Sequence, residues 1–265
     1  MSKYILLGVA MICGLNAEVV KLWQGEVPFA QKSKAENVIT EKRKGAWRMT
    51  EVTDPEYVVY RPTEDTRTGK ALIICPGGGY AHLVHLGKGK DLAEYFVQRG
   101  FTCFVLHYQV PHNREGAHSD AVQAVKMIRA RAAEYQIHPQ QIGMLGSSAG
   151  GHLVTTVSTH PDQTVRPNFA VLMCPAYLTE PKSESLAPEF AEMSQTPPFF
   201  ICSAIDDKWH AMSSLIFSAE LQRRKLPYEF HTFNEGGHSY GLKENNPAAE
   251  IWPELMMKWL SRLDF

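Results

Sequence analysis

Gln141-Ile142-Gly143-Met144-Leu145-Gly146-Ser147-Ser148-Ala149-Gly150-Gly151-His152-Leu153-Val154 is the stretch on which the reading of this chain turns. An apolar run of strand length, 141–145, leads into a Gly-x-Ser-x-Gly pentapeptide, 146–150, and Gly151-His152-Leu153-Val154 reads as the start of a helix. A tight strand-to-helix turn lifts a serine hydroxyl clear of the sheet, and flanking glycines let strand and helix approach without a Cβ clash. Ser148 is therefore the candidate nucleophile. Ser147 occupies the variable position and is given no chemistry. Alone, the pentapeptide also fits an inert Gly/Ser turn, so the rest of the chain has to supply its partners.

The first partner is a pocket for negative charge. The oxygen that becomes an anion when a carbonyl is attacked needs backbone N–H donors already aimed at it. Ala71-Leu72-Ile73-Ile74-Cys75 is an apolar run of strand length, and Pro76-Gly77-Gly78-Gly79-Tyr80 follows it directly. Three bare glycines let backbone amides reach a substrate oxygen, so Gly78 and Gly79 are the expected donors, with the amide of Ala149 as a third at a helix N-terminus. A phosphate cradle is the competing reading of the glycines. A Walker loop would need Ser or Thr after Gly87-Lys88, and Gly89 stands there.

An acid and then a histidine should follow the serine in a strand–turn–helix site of this kind. The run Pro198-Phe199-Phe200-Ile201-Cys202-Ser203 reads as a buried strand, with Asp206-Asp207 just beyond it, and both aspartates are open candidates. Of the histidines downstream, His210 is too near the aspartates to come from a separate strand end. His231 falls inside the strand predicted over 228–233, where a side chain points at a sheet face rather than off its tip. His238, in the glycine-flanked loop Glu235-Gly236-Gly237-His238-Ser239-Tyr240-Gly241, is left as the base, in a loop suited to swing an imidazole over Ser148.

Pro76-Gly77-Gly78-Gly79-Tyr80, Gly146-x-Ser148-Ala149-Gly150-Gly151-His152 and Gly236-Gly237-His238 together resemble the signature set of α/β-hydrolase esterases. Within that set the chain resembles secreted acetylxylan esterases and hormone-sensitive-lipase-like carboxylesterases. The likeness runs from about Leu22 to the C-terminus and includes Leu22-Trp23-x-Gly25 and the segment 57–62. It implies a triad of Ser148, Asp207 rather than Asp206, and His238, and a serine carboxylesterase working through an acyl-enzyme on Ser148. The substrates implied are short-chain esters, acetyl foremost, on carbohydrate. An arylformamidase-like amidase, a small serine peptidase and an exported binding protein on an inactive scaffold are the alternatives. Two positions depart from the pattern: Pro76 stands where lipase-like members usually carry histidine, and Gly87-Lys88-Gly89 replaces a His-Glu-Gly.

The remaining chain alternates strand and helix. Strands are expected over 101–107 and 169–174, and helices over 212–224 and 253–263, the last with Pro253 near its start. Another helix is expected to begin at Asp120 behind a Ser119 cap, with Val122, Val125, Ile128 and Ala132 on one stripe. Such alternation implies an α/β fold: a mostly parallel central sheet with helices on both faces and ligands at the carboxyl ends of the strands. Only 175–198 separates two of the strands, with room for one short helix over 188–193, so the cap is minimal and the site open to short acyl groups on bulky alcohols.

A chain of 265 residues at 44% hydrophobic content can bury one large core. Its net charge of -1, with Lys and Arg scattered, excludes the basic footprint of a nucleic-acid or anionic-membrane binder. The expected partner is a small-molecule or polysaccharide-linked ester. No signal of oligomeric state is legible. Lys3 followed by the apolar 4–15 and Asn16-Ala17 reads as an export signal over 1–17, ahead of a single domain over 18–265. The apolar stretch is shorter than the ~20 residues a bilayer demands, and Ile12 disfavours lipoprotein processing at Cys13. The expected location is periplasmic or secreted. Cys75, Cys103, Cys174 and Cys202 all fall at predicted strands and read as free core thiols rather than disulfide partners. Their spacings match no zinc pattern, and His82 with His85 lacks a third ligand, so no metal and no cofactor is expected. Tyr80, Trp209 and Tyr240 are candidates for a sugar subsite, against the commoner role of aromatic packing.

Overall fold

The computed structural model describes residues 18–32, 38–43, 46–84, 89–180 and 185–265. The expected export signal, Cys13, His85, Gly87 and Lys88 lie outside the described residues. Two compact units divide the chain, one ending at Ile142 and the other running Gly143–Phe265.

In the first unit, β1 (Glu18–Lys21), β4 (Glu56–Tyr60), β7 (Thr102–His107) and β5 (Ala71–Cys75) lie side by side in that order. The β1/β4 and β4/β7 pairs are antiparallel and β5/β7 is parallel. β5 and β7 are buried along their whole length, as their largely apolar sequences require of strands covered on both faces. A separate antiparallel group of β2 (Val38–Arg43), β3 (Ala46–Thr50) and β6 (Leu83–Val84) was not legible in the sequence, where this stretch is too polar to stand out as strand. The helices are α1 (Lys90–Val97), α2 (Arg114–Ala130) and the single turn α3 (Ala132–Tyr135).

Helix α2 corrects an expectation. It begins at Arg114 rather than Asp120, because Asn113 caps it: the Asn113 side chain accepts from the Gly116 amide at 3.0 Å. Ser119 is therefore an interior residue, and the buried face runs through Ala117, Asp120, Ala121, Ala124, Val125 and Ile128, leaving Val122 half-buried. Asp120 turns inward because Trp23 Nε1 donates to its Oδ1 at 2.8 Å and the Gln109 amide donates to its Oδ2 at 2.9 Å. Through Trp23 this helix fixes the stretch after β1.

In the second unit β8 (Ile142–Ser147, its first residue closing the first unit), β9 (Phe169–Met173), β10 (Phe199–Ala204) and β11 (Tyr228–Phe233) are all parallel neighbours in chain order. Helices α4 (Ala149–Ser158), α5 (Ala211–Arg223) and α6 (Pro247–Leu260) cover them. Adjacent residues of β10 show how both faces are covered. Phe199 packs edge-on against Phe217 of α5 at 5.4 Å, while Phe200 meets Trp259 of α6 at 5.5 Å, as alternation along a strand demands. Helix α4 begins at Ala149, two residues before the expected start. Helix α6 starts at Pro247, not Pro253, since Asn246 accepts from the Ala249 amide at 3.1 Å and Pro247 needs no donor in the first turn. Pro253 sits inside the helix, where it removes one backbone bond. Burial of Trp252, Met256, Trp259 and Leu260 holds that segment helical.

Between β9 and β10 the described residues form an isolated Thr179/Leu186 bridge and a three-residue 3-10 turn, Pro188–Phe190, in place of the longer helix expected over 188–193.

Candidate active site

Ser148 stands between β8 and α4 with φ 54 and ψ -122, a conformation outside the ordinary regions for a non-glycine residue. Its geometry is held from several sides. The Ser148 amide donates to Met173 O at the end of β9 (3.1 Å), and its carbonyl accepts from Gly151, His152 and Ala176 amides at 2.9, 3.2 and 3.0 Å. The turn is possible because residue 146 has no side chain: a Cβ there would stand 2.1 Å from the Gly150 carbonyl oxygen. A serine before a helix usually turns its hydroxyl onto the helix amides. Here the left-handed backbone turns Oγ away, and it makes no cap bond. It meets His238 Nε2 at 2.8 Å instead.

Asp207 lies in the turn after β10, and its Oδ2 contacts His238 Nδ1 at 2.7 Å. Its other oxygen accepts from the Trp209 and His210 amides, both at 3.2 Å. Burial works against the charge on this carboxyl, but the hydrogen bond and charge of His238 and the two amides outweigh it and hold the group below the ordinary carboxylate range. Asp206, its competitor in the sequence, is exposed and accepts from the Gly237 amide at 2.7 Å. The two neighbours thus divide the work: one faces the imidazole, and the other anchors the loop that carries it.

His238 follows β11 in a loop tied at three points. Asp206 holds Gly237, Asn246 Nδ2 donates to Gly236 O at 2.9 Å, and Trp252 Nε1 donates to Gly241 O at 2.8 Å. The loop expected to swing is instead fastened to the turn after β10 and to α6. Ser148, Asp207 and His238 therefore come together at the carboxyl ends of β8, β10 and β11, with the imidazole bridging hydroxyl and carboxylate.

The other candidates fall as follows. Gly78 and Gly79 lie in the first unit, in the loop after β5, with φ 144 and 66. Gly78 O accepts from the amides of Ala81 and His82, and a Cβ on Gly78 would stand 1.8 Å from the His82 carbonyl oxygen, so this turn admits only glycine there. Tyr108 donates its hydroxyl to Pro76 O at 2.6 Å, fixing the start of the loop. Ala149, in the second unit, is the first residue of α4, where an amide has no partner within its helix. His231 lies within β11, paired with Glu229 at 2.8 Å. Tyr80 and Tyr240 are buried, so neither can offer a ring face to a sugar, whereas Trp209 is 77% exposed beside Asp207. Among the described residues no group of three or more His, Cys, Asp or Glu is placed to hold a metal ion. Cys75, Cys103, Cys174 and Cys202 are buried and unpaired with one another.

One neighbour of these three side chains escaped the sequence reading. The His210 ring lies 4.8 Å from that of His238, and burial, followed by the charge of His238, depresses its pKa. Proximity to Asp207 in sequence argued against His210 as the base. The same proximity is what brings its ring to His238.

The chain is similar to several known proteins. Residues 58–187 match the family model described as BD-FAE. An acetylxylan esterase of Xylanibacter ruminicola is 36% identical over 109 residues, covering 41% of this chain and 23% of that protein. Endo-1,4-beta-xylanase B of Butyrivibrio fibrisolvens is 27% identical over 220 residues, covering 69% of this chain and 34% of that protein. The chain thus spans well under half the length of these curated relatives. Among solved structures, an acetyl ester-xyloside bifunctional hydrolase from Caldicellulosiruptor lactoaceticus superposes with a TM-score of 0.74 at 25% identity, over 92% of this chain and 95% of that one. The chain has the α/β-hydrolase fold with a mostly parallel sheet, and it resembles esterases both in sequence and in structure.

Proposed function

We propose that the protein is a serine carboxylesterase that removes short acyl groups, acetyl foremost, from carbohydrate esters. The observation that carries this reading is the unbroken line from Asp207 Oδ2 through His238 Nδ1 (2.7 Å) and His238 Nε2 to Ser148 Oγ (2.8 Å). His238 takes the Ser148 proton as the hydroxyl attacks the ester carbonyl. Asp207 fixes the imidazole tautomer and stabilises the imidazolium. The amides of Gly78, Gly79 and Ala149 receive the oxyanion. The protonated imidazole gives its proton to the leaving alcohol, leaving an acyl-enzyme on Ser148, and water activated by the same histidine releases the acid.

Acetyl esters of sugars are the favoured substrates because the named acetylxylan esterase and acetyl ester-xyloside hydrolase act on that class, and because the stretch between β9 and β10 is short and carries, among its described residues, one bridge and one three-residue 3-10 turn. Export, expected from the first 17 residues, suits a substrate attached to polysaccharide, and N-terminal sequencing of the mature protein checks it.

The decisive experiment compares acetate release from acetylated xylan, acetylated monosaccharides and aryl acetates, with Ser148→Ala as control and N-formylkynurenine as competitor. Acetate release that Ser148→Ala reduces about 10⁶-fold is expected. Activity that survives the substitution, or formamide cleavage faster than any ester cleavage, would overturn the assignment.

A further inference from the structure

The triad leaves one contact of its base unexplained. His238 uses both ring nitrogens, yet its ring also lies against His210, tilted by 50° at a centroid distance of 4.8 Å. His210 comes from the turn that fixes the acid, and its amide donates to Asp207 Oδ1. One residue thus grips the carboxylate with its backbone and backs the imidazole with its side chain. The ring is braced in turn. Tyr177 meets His210 edge-on at 5.9 Å, His152 meets Tyr177 at 6.1 Å, and His152 Nε2 is 3.0 Å from Glu189 in the 3-10 turn between β9 and β10.

We propose that His210 is a positioning residue for the reaction, whose ring confines His238 to the orientation in which Nε2 meets Ser148 Oγ. The inference rests on the esterase reading above. An imidazole held only at its two nitrogens can still rock about its Cβ–Cγ bond, and when Nε2 takes the serine proton the Ser148 contact is the one that changes. A ring wall keeps the imidazolium in place until the leaving group collects the proton. The wall has to be uncharged, since a second imidazolium would repel the first. Burial and the His238 charge both favour a neutral His210.

Steady-state kinetics on p-nitrophenyl acetate, with thermal unfolding in parallel, separate this role from plain packing. His210→Ala should lower kcat about tenfold to a hundredfold, with KM within about twofold of wild type. His210→Phe keeps a flat uncharged ring and should restore kcat to within about threefold. His210→Gln keeps polarity and bulk without a ring and should behave like the alanine variant. Unchanged kcat in His210→Ala, or a phenylalanine variant no faster than glutamine, would overturn the proposal. If the alanine variant does not fold, the ratio of kcat in His210→Phe to that in His210→Gln decides between the two roles by itself. A wild-type protein inactive on the ester removes the esterase reading itself, whereas an active wild type with a flat variant series removes only the role of His210.

Discussion

Two substitutions at single residues divide the proposed chemistry into its parts. Asp207→Asn keeps the shape of the acid but sacrifices the charge that orients His238, whose Nδ1 lies 2.7 Å from Asp207 Oδ2. Turnover of an aryl acetate should drop about 10⁴-fold while the fold survives. Asp206→Asn, one position away, removes no triad contact and should cost under about tenfold, through the looser hold on Gly237. Equal losses in the two variants would refute the division of labour between them. Gly78→Ala tests the loop after β5. Because the added Cβ would meet the His82 carbonyl at 1.8 Å and φ is 144, the loop has to move. A loss of about 10² to 10³ in kcat is expected if the amides there receive the oxyanion. This scale also shows the limit of reading side chains from a sequence. Adjacent aspartates are indistinguishable by spacing, and only the turn after β10 decides that one faces the imidazole and its neighbour the Gly237 amide.

At the scale of elements, one residue, Asn246, serves both α6 and the His238 loop. Asn246 caps the helix with Oδ1 and holds Gly236 O with Nδ2. Asn246→Asp keeps the cap acceptor and loses the amide donor, so thermal stability should stay near wild type while kcat falls several-fold. Asn246→Ala loses both and should also cost about 1 kcal/mol of stability. Activity in both variants equal to that of wild type would show that the Gly236 contact does not hold the loop. The stretch between β9 and β10 carries its own expectation. With one 3-10 turn among its described residues, it encloses little, and p-nitrophenyl acetate should be cleaved faster than the octanoate. The reverse order would point to an acyl tunnel. Element types were legible wherever an apolar run was long and bounded, as in β5, β8, β9 and β10. Helix starts were less so: Ser119 and Pro253 look like start signals, but Asn113 and Asn246 cap earlier turns, and buried rings and small residues carry the helices through. The β2–β3–β6 group left little trace because its strands are polar, short or interrupted.

For the molecule as a whole, two buried carboxyls make stability respond to pH in opposite senses. Asp207, depressed by its partners, contributes stability that is present above the ordinary carboxylate range and is lost as pH falls through its lowered pKa. Asp120 behaves the other way. Burial raises it to about 6 despite hydrogen bonds from Trp23 and Gln109. Its neutral form is the one the fold prefers, so its contribution is full below about pH 4 and declines as pH rises through about 6. The shift corresponds to roughly 3 kcal/mol, or on the order of 10 °C in Tm for a chain of this size. Asp120→Asn removes the titration and leaves one amide without its acceptor, so this variant should be less stable than wild type at pH 4.5. The deficit should shrink as pH rises through about 6 and level off by pH 8, where only wild type carries a buried charge. Thermal unfolding of both proteins across that range measures it. A constant difference in Tm would mean that Asp120 is already ionised at pH 4.5, and that its hydrogen bonds from Trp23 and Gln109, not the burial of its charge, dominate the site.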